Sequence, residues 1–185
     1  MIADAKKDST KFVFATSGFG AAGHLAVEIL RRLVASEVDK TSLITFNGAA
    51  PALTQIMVGD IHVMIDPVLS SYPFVQGGQL KALGVTSNKR ISLLPEVPTV
   101  LELELPELEF YSWYGMWAPR DTPAHIVQKL SQEVKKIIHE PDFLRRLEQS
   151  GFEPRGTTPE QFAAYLKTER DKYQRILKDA DIKQR

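Results

Sequence analysis

Strands and helices alternate through the first half of this chain, and that rhythm constrains the fold more than any other feature. The residues 11–16 predict a strand, 17–23 a glycine-rich turn, and 22–35 a helix with Leu25, Ile29, Leu30 and Leu33 on one stripe. A second strand is expected over 42–46, closed by the turn signal Asn47-Gly48. The short helix after it takes Pro51 in its first turn and turns Leu53, Ile56 and Met57 toward a core. Residues 61–65 read as a third strand running into Asp66-Pro67, 68–76 as a helix closed by Gly77-Gly78, and 80–86 as a fourth strand. Units of this length build a parallel sheet with right-handed crossovers, an α/β fold.

The rhythm changes near Pro95. Pro95, Pro98 and Pro106 break regular helix, and residues 110–118 form an expected aromatic strand containing Trp113 and Trp117. Three helices should follow, over 123–139, 141–150 and 159–178, each opened by a proline beside Thr122, Glu140 or Thr158. An α/β half is thus joined to a mostly helical half. No repeat or low-complexity tract is present.

Composition narrows the partners. With 185 residues, 43% hydrophobic and 25% charged, the chain suits a soluble globular protein with one substantial core or two small lobes. Lys+Arg 23 against Asp+Glu 23 leaves no net charge, so nucleic acid is not an expected partner. Cysteine is absent, which removes disulfides, thiolate catalysis and Cys-type metal sites. The opening residues lack the apolar core of a signal peptide, and no apolar run approaches the roughly 20 residues that cross a bilayer.

In a parallel α/β sheet, ligands sit beyond the carboxyl ends of the strands. Three such segments stand out: Ser17 to His24, Phe46 to Ala50, and Asp66 to Ser71. The first contains Gly18-x-Gly20-x-x-Gly23, formally the dinucleotide fingerprint, whose ribose-binding acid would be Asp39; that residue precedes the second strand instead of ending it. The same loop also suits a carboxylate. Glycines let the backbone turn and expose N–H groups, and a helix N-terminus adds partial positive charge. Asn47-Gly48 leads into another helix N-terminus and can serve alike, although both glycine turns are also what a tight strand-to-helix connection needs. His24 is either an anion donor or a structural hydrogen-bonding residue. Asp66 either accepts from an amino or hydroxyl group of a ligand or caps the next helix. His62, His125 and His139 have no metal-ligand spacing, and Ser70-Ser71 has no neighbouring His and Asp. Trp113, Tyr114 and Trp117 either wall a cleft or enter a core. No catalytic constellation, metal site or cofactor is expected.

Thr16 to Leu25 (TSGFGAAGHL) and Phe46 to Leu53 (FNGAAPAL) resemble the two binding-loop motifs of tripartite tricarboxylate transporter receptors, the Bug-type proteins. The resemblance continues through Val63-Met64-Ile65-Asp66, Leu80 to Ser87, Leu94 to Thr99, Trp113 to Pro119 and Gly156 to Phe162, in the family's order. It implies a periplasmic-binding-protein-like (type II), two-lobed receptor that captures a small carboxylate without turnover and delivers it to membrane permease subunits. Family ligands include di- and tricarboxylates, acidic amino acids and aromatic acids. The resemblance assigns Ser17, Gly18, Phe19, Gly20, Ala21, Ala22, Gly23 and His24 to one carboxylate loop and Phe46, Asn47, Gly48, Ala49 and Ala50 to another. Asp66 falls on the third loop.

Ala21 and Ala22 stand where relatives often carry serines, and Phe46-Asn47 replaces a frequent Tyr-Lys pair. By the same analogy residues 1–105 are the family's second lobe, and 106–185 are a crossing strand with the helical end of a first lobe whose opening is missing. Uncovered sheet edges and apolar helix faces would then favour self-association. Two other readings stay open: a truncated interaction module that has lost its ligand, and a nucleotide-binding enzyme using Gly18, Gly20 and Gly23.

Overall fold

The computed structural model describes residues 5, 7–35 and 40–179, and Asp39 lies outside them. The chain divides into two compact units, one ending at Ser112 and the other beginning at Trp113.

In the first unit, β1 (Val13–Thr16), β2 (Ser42–Thr45) and β3 (Val63–Met64) form a parallel sheet in the order β2-β1-β3. Val13 pairs with Ser42 and Thr16 with Thr45 on one side of β1, while Phe14 meets Val63 and Ala15 meets Met64 on the other. Being central, β1 buries Phe14, Ala15 and Thr16 completely, whereas β2 is an edge with three of its four residues exposed. Helices α1 (Ala22–Val34), α2 (Ala49–Val58) and α3 (Val68–Gln76) each follow one strand.

Helix α1 is the one that closes the core. Val27, Leu30 and Val34, at helical spacing, pack with Phe14, Val63, Val100 and Leu108. Burial of each such side chain contributes about 1.5–3 kcal/mol, which sets β1 and α1 as the stable heart of the unit. The buried stripe is rotated from the expected one: Ile29 and Leu33 pack only at its margin. At the far end of α1, Arg31 is 8% exposed and donates to Thr41 Oγ1 at 2.7 Å and to Glu28 at 3.0 Å. Helix α2 buries Ala52 and Leu53 but leaves Met57 exposed, and it ends at Gly59 with φ +91°.

The expected strand over 80–86 is not one. Val85 makes a single bridge to Thr99, with its N–H on the Pro98 carbonyl at 2.9 Å. Its partner is the returning proline-punctuated segment, and Pro98 has no N–H to extend a ladder. The expected aromatic strand over 110–118 is likewise extended chain without a ladder: Phe110 donates to the Thr86 carbonyl at 3.1 Å, and the residues after it belong to no strand.

The second unit holds α4 (Ala124–Ile137), α5 (Pro141–Gln149) and α6 (Pro159–Asp179). These boundaries match the proline-opened helices of the sequence reading within two residues. The aromatic segment packs on α6, where the Trp113 ring lies 5.8 Å from both Phe162 and Tyr165 and Trp117 lies 5.6 Å from Phe162. Tyr114 is 70% exposed and stands edge-on to Phe152 at 5.3 Å. Neither α4 nor α5 contains a buried residue.

Candidate functional site

Because β1, β2 and β3 run parallel, their carboxyl ends lie on one edge of the sheet, and the three loops singled out above leave from that edge. Hydrogen bonds tie the first two together. The Phe46 N–H donates to the Thr16 carbonyl and the Gly48 N–H to the Ser17 carbonyl, both at 2.9 Å. The third loop is held by contact: a Cβ on Gly23 would stand 2.5 Å from the Ile65 carbonyl oxygen, so only glycine lets α1 approach so closely. Ser17 to His24, Phe46 to Ala50, and Asp66 are therefore neighbours at one sheet edge.

The glycines shape this edge more than they supply donors. Gly20 and Gly48 have φ of +77° and +109°, in the region that other residues avoid. The Gly20 N–H is taken by His24 Nδ1 at 3.3 Å, the Gly48 N–H by Ser17, and the Gly18 N–H faces Thr16 Oγ1 at 3.4 Å. The Thr16 hydroxyl, fully buried, donates in turn to the Gly18 carbonyl at 3.1 Å. Sequence reasoning passed over Thr16, although a hydroxyl at a strand end before glycines is a common turn signal.

The donors facing outward come instead from the helix ends. Neither α1, with Ala21 at its N-cap, nor α2, with Gly48, has a side-chain cap. First-turn amides have no partner inside their helix, so the N–H groups of Ala22, Gly23 and His24, and of Ala49 and Ala50, extend from two adjacent helix ends. Pro51 contributes none. Each end adds a partial positive charge of roughly +0.5, which suits an anion without any Lys or Arg. None of the three loops contains either residue.

His24 is 3% exposed, with its ring 4.7 Å from that of Phe19 and tilted 40°. Accepting through Nδ1 places its proton on Nε2. Burial pushes the imidazole below its ordinary pKa, Glu28 opposes the shift and Arg31 adds to it, so the neutral ring is favoured. The Nδ1 contact braces the turn, and the backbone N–H of His24 belongs to the α1 end. Phe19, at 55% exposure, covers the turn from outside.

Asp66 is half-buried at the end of the third strand. The Ser70 hydroxyl donates to Oδ2 and lies 2.9 Å from the Pro67 carbonyl, whereas no α3 backbone N–H reaches the carboxylate. Asp66 therefore does not cap α3, and Ser70 has an aspartate neighbour one helical turn back that its spacing from Asp66 announced. Oδ1 is buried and has no hydrogen-bond partner among the described residues. Burial raises the carboxyl's pKa above the ordinary aspartate value, and Ser70 and then Ser17 pull it back. No imidazole completes a triad with Ser70 among the described residues. His62 accepts the Val13 N–H at 3.2 Å, and His139 Nδ1 lies 2.7 Å from the Lys135 carbonyl, so both do structural work. No three His, Asp or Glu side chains among the described residues group as metal ligands, and no helix there is long and apolar enough to cross a membrane.

Comparison with known proteins points the same way. Residues 1–182 match the family described as "Tripartite tricarboxylate transporter family receptor". The chain is 34% identical over 174 residues to a UPF0065 protein from the tcbD-tcbE intergenic region of Pseudomonas sp. (strain P51), covering 94% of this chain and 51% of that protein. Among solved structures, the periplasmic binding protein BugD superposes with a TM-score of 0.87 at 30% identity, over 100% of this chain and 61% of BugD. R. palustris Rpa4515 with adipate superposes with a TM-score of 0.88 at 28% identity, over 97% of this chain and 59% of that one. The chain spans about half the length of the curated relatives it matches.

Proposed function

Since the chain belongs to the tripartite tricarboxylate transporter receptor family, a family of solute-binding receptors and not of enzymes, we propose that it binds a small carboxylate at the carboxyl edge of its sheet. The observation that carries this reading is the pair of uncapped helix N-termini, α1 and α2, on adjacent parallel strands beside Asp66. Two helix ends stabilise one carboxylate by about 0.3–1 kcal/mol each when exposed, and more as the ligand shields them from water. The assigned residues are Ser17 to His24, Phe46 to Ala50, and Asp66. The adipate seen with Rpa4515 supports a carboxylate as the ligand class. Likeness to BugD supports a periplasmic location, and the family supports delivery to membrane permease subunits. The nucleotide reading loses its footing here, because β2 ends at Thr45 and is followed by Phe46 and Asn47, neither of them acidic.

Calorimetric titration of the chain with adipate, malate, citrate, aspartate and benzoate tests the proposal, with thermal melts alongside. Saturable binding of one class is expected, with a rise in stability of about 2.7 kcal/mol at a hundred times the dissociation constant. Five flat titrations against a cooperatively folded chain would reject it.

A second reading, self-association, is favoured by the second unit. Tyr114, Met116 and Trp117 are 70%, 67% and 63% exposed there, and α4 exposes Ile126, Leu130 and Ile137. Light scattering across concentration distinguishes it: a constant oligomer indifferent to all five acids fits an interaction module, and a monomer excludes one.

A further inference from the structure

We infer that His24 is the positioning residue of the first loop: its imidazole holds the Gly18–Gly20 turn so that the α1 amides face a ligand, without touching the ligand itself. The inference rests on the carboxylate reading and says how that site keeps its shape.

Gly20 sits at φ +77°, and glycine visits such conformations about as readily as their mirror images, so its own backbone preference does not hold the turn. Thr16 Oγ1 holds the turn at Gly18, and at Gly20 it is held by a cross-link spanning four residues, from the Gly20 N–H to His24 Nδ1 at 3.3 Å. The imidazole is anchored on the first turn of α1 and is 3% exposed, with the Phe19 ring beside it at 4.7 Å and tilted 40°. A ring so enclosed is badly placed to meet a ligand and well placed to brace a loop. Bracing requires a lone pair on Nδ1, which the neutral imidazole has and the imidazolium lacks. Glu28 and Arg31 are the charged groups acting on the ring from α1. Phe19, on the adjoining turn, is uncharged, and the titratable group of the third loop is Asp66.

The test compares the unsubstituted chain with His24→Gln and His24→Leu in titrations with the same five acids between about pH 5 and 8, with circular-dichroism melts in parallel. A glutamine carbonyl can accept the Gly20 N–H but does not titrate; leucine fills space and accepts nothing. At pH 8, His24→Gln should bind within about twofold of the unsubstituted chain and His24→Leu about three- to tenfold more weakly, the range of one lost hydrogen bond. As pH falls below the ordinary histidine value, the unsubstituted chain should lose affinity that His24→Gln keeps. Asp66 titrates in both, so their difference isolates the imidazole. Equal affinity in His24→Leu overturns the inference. So does affinity that rises toward acid in the unsubstituted chain and not in His24→Gln, since that is the mark of an imidazolium touching the anion. If His24→Leu does not melt cooperatively, the pH comparison decides by itself. Absence of binding by the unsubstituted chain would instead sink the carboxylate reading, a failure distinct from these.

Discussion

Single atoms decide how the loops meet. Gly23 lies within α1, where alanine would ordinarily be favoured by about 1 kcal/mol. Against that, a Cβ would stand 2.5 Å from the Ile65 carbonyl, a backbone atom that cannot swing aside. Overpacking of this kind costs about 1–3 kcal/mol, so the clash wins. Gly23→Ala should lower the urea midpoint and weaken carboxylate binding together, as the third loop is pushed off the first; an unchanged midpoint would count against the close packing. Asp66 gives a prediction in pH. Its folded pKa is raised above 3.8, chiefly by burial, so its contribution to stability is fully present below the unfolded value and is lost as pH rises through the folded one. Asp66→Asn removes that loss, and its stability relative to the unsubstituted chain should grow in denaturant melts as pH rises above the ordinary aspartate range. Parallel profiles for the two chains would refute the buried, under-bonded carboxyl. At this scale the sequence located the glycines and Asp66 but could not say which amides were already spent. The His24–Gly20 bond depends on a ring rotamer and on burial beneath Phe19, neither of which leaves a mark in residue order.

Elements were legible where their signals are local. Proline at or just before the first turn announced α4, α5 and α6, and Gly77-Gly78 closed α3 where expected. Strands were legible only where a partner lay one helix away. Val85 has strand-like neighbours in sequence, yet its actual partner is Thr99, and that choice depends on how the chain returns past Pro95 and Pro98. The aromatic segment failed as a strand for a related reason, since Trp113 and Trp117 find their surface on α6 and not along a neighbouring strand. Gly115 permits that docking: a Cβ there would lie 2.2 Å from Phe162 Cζ. Phe162 is hemmed in by both tryptophans, so it cannot simply rotate away. Gly115→Ala should therefore shift tryptophan emission to the red and lower the fluorescence melt while leaving carboxylate affinity intact, because the loops lie in the first unit. A normal spectrum would mean that the segment is not held on α6.

For the whole molecule the unequal distribution of buried surface matters most. The first unit concentrates its fully buried residues, Phe14, Ala15, Thr16 and Val27 among them, on β1 and α1, whereas α4 and α5 bury none. Local opening costs little where few apolar contacts must be broken, so protection should follow burial. Hydrogen–deuterium exchange is expected to be slowest in peptides spanning β1 and α1, and fast along the whole of α4 and α5. Both tryptophans lie in the second unit, so their emission should change at a lower temperature than the far-ultraviolet signal of the sheet. Adding a bound carboxylate should slow exchange at Ala22 to His24 and at Ala49 and Ala50 in the two loops, whose amides it would occupy, before it affects α4 at all. Protection in α4 equal to that in β1 would show that its apolar face is covered, and would move the argument from a carboxylate receptor toward self-association. Slow exchange confined to the first unit, deepened at those two loops by one acid of the panel, is what a receptor built around helix N-termini requires.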